Sequence, residues 1–308
     1  MKQLLRLALA ADAVALMTLM LGSWTRINGA GLTCPDWPLC RGHLLPPLGD
    51  GTLWEWSHRL LAFSVAPLIL ALIVAGWRQR GRSPFVAPTV GITAALFLLQ
   101  VALGAETVRL ANSPLSVVLH WATAMALIAA LSAMAVFAAA AKPAASSGSS
   151  VHASSSLAFV LGATAAAAFV TMCIGAYVSS SGAGLACLSI PGCAGHVVVY
   201  TPGQFVQMLH RFAAGATLLC AAAALALAWA SATPSRIRAA LFTGVALVAV
   251  QVLLGLLNVA LRLPTDLREA HAVNAALVFL SFFVATIFAV LDSVPAHGTL
   301  AGKESPAR

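Results

Sequence analysis

Eight apolar runs of about 20 residues each restrict this chain to one class of fold. They cover residues 7–25, 58–77, 85–105, 115–141, 157–178, 205–230, 237–258 and 270–292. A helix needs about 20 apolar residues to cross a hydrocarbon layer ~30 Å thick. Only 8% of the residues are charged, whereas a water-soluble domain carries roughly a quarter. Because the runs are rich in Ala and Leu and do not alternate, we predict an all-α integral membrane protein with eight transmembrane helices, in contact with membrane lipid.

The basic residues indicate the orientation of the chain. The net charge is +8, but these residues lie in short loops and form no stripe that would bind nucleic acid. With the N-terminus inside, ten basic residues fall on the cytoplasmic side: Lys2, Arg6, Arg78, Arg80, Arg82, Lys142, Arg236, Arg238, Lys303 and Arg308. The outer loops hold fewer basic residues, which are offset by acidic ones. The positive-inside rule then predicts that both termini are cytoplasmic.

The two halves of the chain repeat each other. Gly29-Ala30-Gly31-Leu32 returns as Gly182-Ala183-Gly184-Leu185, an offset of 153 residues, and Gln100 and Gly104 return as Gln251 and Gly255 at 151. We predict two tandem, pseudo-symmetric four-helix bundles, in residues 1–141 and 157–292. A Ser/Pro-rich cytoplasmic linker would join them at 142–156, and a cytoplasmic tail would follow at 293–308.

Each half places two histidines near the outer ends of its helices: His58 and His120 in the first, His210 and His271 in the second. A lone membrane histidine is often structural, but two matched pairs of ionisable side chains in lipid indicate a function. Imidazoles from two helices of a four-helix bundle can hold both axial positions of a haem iron, whereas structural zinc needs four ligands. Arg59 and Arg211, next to the first histidine of each pair, would either bind haem propionates or extend towards the lipid headgroups.

Two cysteine pairs lie in the outer loops: Cys34 with Cys40, and Cys187 with Cys193. The space outside the membrane is oxidising, so two local disulfides are expected. They would either brace the loops or exchange electrons. Zinc bound with the help of His43 and His196 is the less favoured alternative.

The halves differ in their acids, since Glu106 corresponds to Leu257 and a second acid is lost nearer the histidines. Glu55, three residues before His58, corresponds to Gln207 in the second half. A carboxylate one helical turn from an axial ligand can relay protons or stabilise positive charge. Alternatively, Glu55 pairs with Arg59 or Arg26. The difference favours chemistry in the N-terminal half and an electron-transfer or structural haem in the C-terminal half.

Several segments together resemble the haem A synthase family. They are TRINGAGLTCPDWP, EWSHR, QVALGAETVRL followed by His120, GAYVSSSGAGLAC, LHR, and QVLLGLLNVALR followed by His271, and the resemblance spans residues 15 to 290. It implies an oxidoreductase of the bacterial inner membrane that oxidises the C8 methyl of haem O to the formyl group of haem A, for terminal oxidases. His58, His120 and Glu55 would then serve the substrate, and His210 and His271 would bind haem b. The family also implies a haem O synthase as partner.

Two other functions compete with this one. A dihaem b-type cytochrome that takes electrons from quinol explains the four histidines equally well, but it gives no reason for an acid in one half only. A transporter built on the repeat would need polar residues at mid-membrane, where this chain is almost entirely apolar except for Asp12. The residues leave open whether the chain forms homo-oligomers.

Overall fold

The computed structural model describes residues 1–140, 153–193, 195 and 199–293, and its regular structure is helical. Eight helices in the described part are long and apolar enough to cross a membrane, as predicted. They are α1 (Lys2–Ile27), α2 (Thr52–Arg78), α3 (Val86–Arg109), α4 (Pro114–Ala140), α5 (Ser155–Ser180), α6 (Pro202–Ala230), α7 (Ser235–Ala260) and α8 (Thr265–Ser293). Short 3₁₀ turns lie at Arg80–Arg82 and Ala183–Leu185. At 24 to 29 residues the helices are about 36–44 Å long, enough to extend past the hydrocarbon on either side.

Seven of the eight helices begin earlier than the apolar runs suggest. Helix α2 begins at Thr52 rather than at residue 58, and α6 begins at Pro202 rather than at 205. The first turns of both helices mix polar with apolar residues, so hydropathy assigned them to loops. The side chain of Thr201 accepts a hydrogen bond from the backbone N–H of Gln204 and caps α6. Since α2 and α6 carry His58 and His210, these histidines lie about two turns inside their helices rather than at the first residue.

Helix α4 is the centre of the packing. In its most apolar stretch 61% of the residues are buried, against 17–39% in the other seven helices. It contacts α1 and α3 on one side and α5 and α8 on the other. Small side chains such as Ala130, Ala133 and Ala138 are buried along it, which allows close approach where the hydrophobic effect does not drive helices together. His120 lies on this helix, and α8, which carries His271, packs against it.

Helix contacts recur between the halves. Helix α1 packs on α2 and α4 as α5 packs on α6 and α8, and the pairs α2–α3 and α3–α4 recur as α6–α7 and α7–α8. The turns after α3 and α7 also match, with positive φ at Ala111 and Asn112 and at Arg262 and Leu263. Residues 142–152 of the predicted linker and 294–308 of the predicted tail lie outside the described residues. Helix α5 already begins at Ser155, inside the predicted linker.

Substitution of Gly76 tests the contact between α2 and α3. A Cβ at this position would lie 2.5 Å from Cγ2 of Val90, so Gly76→Ala should lower the free energy of unfolding by about 1–3 kcal/mol through overpacking. Gly91→Ala on α3 is the matched control, because a Cβ there meets nothing within 4 Å. Thermal unfolding in detergent measures both variants. Equal melting temperatures would contradict this contact.

Candidate haem sites

The four predicted ligands lie on alternate helices, each about two turns from the helix N-terminus. His58 is on α2, His120 on α4, His210 on α6 and His271 on α8. Each ring packs against a glycine of a neighbouring helix, where a Cβ would lie 2.5–3.3 Å from the imidazole Cε1. The four contacts are Gly22 with His58, Gly104 with His120, Gly175 with His210, and Gly255 with His271. The glycines leave the space that the rings occupy, so ring position depends on the absence of a side chain.

A backbone carbonyl orients the first histidine of each pair. Nδ1 of His58 lies 3.0 Å from the carbonyl oxygen of Thr18, and Nδ1 of His210 lies 3.1 Å from that of Thr171. Because a carbonyl only accepts, Nδ1 carries the proton and donates it. The Nε2 lone pair is then available to a metal. Metal-binding histidines usually donate their second ring N–H in this way.

A glutamine accompanies the second histidine of each pair. The Nε2 atoms of Gln100 and His120 are 3.3 Å apart, and those of Gln251 and His271 are 3.2 Å apart. The amide donates, so the imidazole Nε2 accepts and its lone pair is engaged by the glutamine, while Nδ1 of both histidines has no hydrogen-bond partner among the described residues. Gln251 is held further by Asn274, whose Nδ2 donates to its Oε1 at 2.8 Å. A metal bound at Nε2 of His120 or His271 would therefore take the place of the glutamine's hydrogen bond.

The two histidines of the C-terminal half face each other. The ring centroids of His210 and His271 are 6.3 Å apart, with an angle of 72° between the ring planes. An iron about 2 Å from each ligating nitrogen, with a ring radius of about 1 Å on either side, would separate the centroids by roughly 6 Å. Both histidines line a cavity of about 550 Å³, within the usual range for small-molecule sites. These residues fit an axial pair on one haem. In the N-terminal half, His58 is the ionisable neighbour of His120.

The first outer loop is closed by the Cys34–Cys40 disulfide and attached to α2 on either side of His58. Oε2 of Glu55 accepts from the N–H of Cys34 at 2.8 Å and from the hydroxyl of Thr33 at 3.0 Å. Its Oε1 pairs with Arg59 at 2.6 Å. The guanidinium of Arg59 donates to the carbonyls of Cys34, Asp36 and Leu39. The pairing of Glu55 with Arg59, one of the two predicted alternatives, is observed. A catalytic role for Glu55 and propionate binding by Arg59 stay predictions.

The loop between α5 and α6 repeats this attachment without an acid. Cys187 and Cys193 form its disulfide. Oε1 of Gln207 accepts from the N–H of Cys187 at 2.6 Å, and its Nε2 donates to the carbonyl of Gly184 at 2.8 Å. Arg211 donates to the carbonyls of Cys187, Ser189, Pro191 and Gly192. We call each set a loop latch: Glu55 and Arg59 in the first half, Gln207 and Arg211 in the second. His196, an alternative zinc ligand, lies outside the described residues.

The carboxylate of Asp36 binds the backbone of the loop between α1 and α2. Its carboxylate accepts from the backbone N–H of Gly42 at 2.8 Å and from that of Arg41. These bonds, with a smaller contribution from the charge of Arg59, lower the pKa of Asp36 below its usual value. The folded pKa is depressed, so the stabilisation is present above the unfolded pKa and is lost as the pH falls through the folded one. The hydrogen bonds from the N–H groups of Arg41 and Gly42 to Asp36 are therefore kept at neutral pH.

Sequence reasoning missed the residues that orient the rings. Gly22 and Gly175 were not selected, although they match at the repeat offset of 153 that the GAGL motif shows. Thr18 and Thr171 match at the same offset but act through their carbonyls, which no side-chain pattern reveals. The part of Glu55 and Gln207 in holding the loops was missed as well, because it depends on how each loop folds back over its helix.

Adding one methyl group at Gly22 or Gly175 tests these ring positions. Gly175→Ala would place a Cβ 2.9 Å from Cε1 of His210. It should lower the haem bound per polypeptide several-fold, because the ring must turn away from the position in which it faces His271. Gly22→Ala, with a Cβ 2.5 Å from His58, should disturb only the N-terminal site.

The measurement is the pyridine haemochrome spectrum of the purified protein, normalised to polypeptide. Gly91→Ala is the control, because it replaces a helical glycine at which a Cβ would meet nothing within 4 Å. Full haem content in Gly175→Ala would show that this contact does not position His210.

Comparisons with known proteins agree with this arrangement. The sequence profile of the cytochrome oxidase assembly protein family (COX15-CtaA) matches residues 5–52 and 49–283. The chain is similar to the haem A synthase of Bacillus licheniformis, with 29% identity over 94% of both chains. It is 32% identical to the haem A synthase of Bacillus pumilus, over 70% of this chain and 71% of that protein. The protohaem IX farnesyltransferase of Haloarcula marismortui is 38% identical over 110 residues, which are 35% of this chain and 23% of that protein.

The family profile covers nearly all of the membrane part, including every helix that carries a histidine of the two pairs. The chain belongs to the cytochrome oxidase assembly protein family.

Proposed function

We propose that this protein is a haem A synthase, which oxidises the C8 methyl group of haem O to a formyl group. The observation that carries the proposal is the pair of matched histidine sites in membrane-spanning helices, in which a backbone carbonyl holds Nδ1 of the first histidine and a glutamine amide contacts Nε2 of the second. Similarity to proteins named haem A synthase extends over 94% of the chain, so it includes both sites.

The reaction is a four-electron oxidation, formally two hydroxylations of the methyl followed by loss of water from the geminal diol. We assign it to the N-terminal half, where His58 and His120 would bind the iron of haem O. His210 and His271 would bind haem b, which when bound supplies a one-electron redox centre close to the substrate. The carbonyls of Thr18 and Thr171 keep the Nδ1 proton on His58 and His210, so neither ring has to change tautomer to ligate.

Glu55 is the residue we propose for charge or proton chemistry in the first half. Its buried carboxylate lies one helical turn from His58, and its negative charge is balanced by Arg59. The amide of Gln207 holds the corresponding loop without a charge. The loop therefore does not need a carboxylate, which supports a further role for the acid.

The proposed setting is a bacterial inner membrane, with two four-helix bundles and both termini in the cytoplasm. The positive-inside distribution of Lys and Arg supports this orientation, and the recurrence of helix contacts between α1–α4 and α5–α8 supports the two bundles. The disulfide loops would then face the oxidising side. A haem O synthase is the proposed partner, supported by the likeness to a protohaem IX farnesyltransferase over 110 residues.

Replacing the first histidine tests the activity. In cells that lack the gene and express His58→Ala, haem O should accumulate and haem A should be absent, because the substrate loses an axial ligand. Acid extraction and chromatographic separation of the cellular haems measure both. An unchanged haem profile with impaired respiration would instead favour the b-type electron carrier.

Replacing the carboxylate with an amide separates the two roles of Glu55. Glu55→Gln should keep the loop latch and the bound haem, because Gln207 makes the same bond in the second half. Haem A formation should fall by about 10²-fold or more if the carboxylate takes part in proton transfer. The reciprocal change Gln207→Glu would replace the donor to the Gly184 carbonyl with an acceptor, so the matched control is Glu106→Gln, an acid of the same half that pairs with Arg109, which should leave activity close to that of the wild type. Full activity of Glu55→Gln would reduce Glu55 to a structural residue.

A further inference from the structure

The cavity that contains His210 and His271 is not built from the C-terminal half alone. Ser23, Arg26 and Ile27 of α1 and Trp121 of α4 also line it. The side chain of Arg26 reaches across to α5, where its Nη2 donates to the hydroxyl of Ser179 at 3.1 Å. Ser179 is the residue that corresponds to Arg26 at the repeat offset of 153. Since Arg26 contacts its own counterpart, it lies where the two halves meet.

Three arginines line this cavity: Arg26, Arg211 and Arg268. Arg211 is already occupied by four loop carbonyls. Arg268, which is half-buried and lies one turn before His271, has no side-chain hydrogen bond or ion pair among the described residues. Arg26 uses one of its five N–H donors on Ser179. Two guanidinium groups with unused donors therefore face the same space as the two histidines.

The charges in this part of the cavity do not balance. Arg268 and Glu269 are the charged neighbours of Arg26, so two cations share one carboxylate. Oε2 of Glu269 itself has no hydrogen-bond partner among the described residues. Two like charges in surroundings of low dielectric are costly unless an anion joins them. The imbalance indicates a missing negative ligand group at the edge of the cavity.

A tetrapyrrole with two propionates supplies such groups. We propose that Arg26 and Arg268 bind the propionate carboxylates of the haem held by His210 and His271, so that the first helix of the chain completes the C-terminal site. The inference rests on the proposed function for the presence of that haem. Arg211, which the sequence suggested as a propionate ligand, holds the loop between α5 and α6 instead. The propionates would contact one arginine from each half, Arg26 on α1 and Arg268 on α8.

The N-terminal site lacks this pair. At the repeat offsets, Arg26 corresponds to Ser179 and Arg268 corresponds to Val117. Equivalent positions around His58 and His120 therefore offer no guanidinium group. Haem would be held more firmly in the C-terminal site, as a resident cofactor requires, and less firmly in the other, as a substrate requires.

The test compares Arg26→Gln and Arg268→Gln with the control Arg262→Gln, an exposed arginine of the α7–α8 turn that does not line the cavity. Each cavity variant should weaken haem b retention in the detergent-purified full chain by about 10-fold, the effect of one charge-assisted hydrogen bond. Each should also lower the midpoint potential, because a positive charge near the haem favours the reduced form. Arg26→Lys should preserve most of the potential, which separates charge from packing.

Haem dimethyl ester identifies the anion. Haem-depleted protein is reconstituted with haem b or with its dimethyl ester, which lacks the carboxylates. The difference in haem retention between wild type and the two variants should disappear with the ester. A difference that persists equally with the ester would overturn the proposal, because the anion would then be a lipid headgroup phosphate. Wild-type retention and potential in both variants would overturn it as well. Failure of the wild type to bind any haem would instead refute the proposed function.

Discussion

The rest of this structure depends on how the first histidine of each pair is held between two neighbouring helices. In His58 and His210 one nitrogen donates to a carbonyl of the neighbouring helix. The ring is brought to that carbonyl by a glycine on the same neighbouring helix. Because a glycine, a carbonyl and a ring must meet, the spacing and rotation of α1 against α2, and of α5 against α6, are fixed. The remaining nitrogen is then available to bind iron.

The loop latches extend this constraint beyond the helix ends. Residues three before and one after His58 and His210 hold the disulfide loops, so the loop and the ligand share one rigid turn of helix. Both disulfides thus act on the sites through hydrogen bonds rather than through contact with the histidines. Arg59 and Arg211 donate their hydrogen bonds to carbonyl oxygens of these loops. The charges available to a bound haem come instead from where the two halves meet, at Arg26 and Arg268.

Much of this arrangement could be predicted from the sequence, and the rest depends on tertiary contacts. Apolar runs predicted the eight helices because lipid leaves few alternatives, and cysteine pairs in loops on the expected oxidising side predicted the disulfides. Hydropathy failed most at the start of α2, where the turn that contains Glu55 is helical although the apolar run begins only at residue 58. Glu55 looked distinctive by comparison with Gln207, yet the two residues make equivalent bonds to their loops. The approach of Arg26 to the C-terminal cavity could not be predicted, because it depends on how two helices far apart in sequence pack.

The central claim is that two copies of one histidine site hold different haems, substrate in the N-terminal half and haem b in the C-terminal half. The most direct measurement is the haem composition of purified protein supplied with haem O, compared between His120→Ala and His271→Ala. We predict that His120→Ala keeps haem B and loses haem O. We predict that His271→Ala loses haem B before it loses haem O. Loss of the same haem from both variants would contradict this division of the two halves.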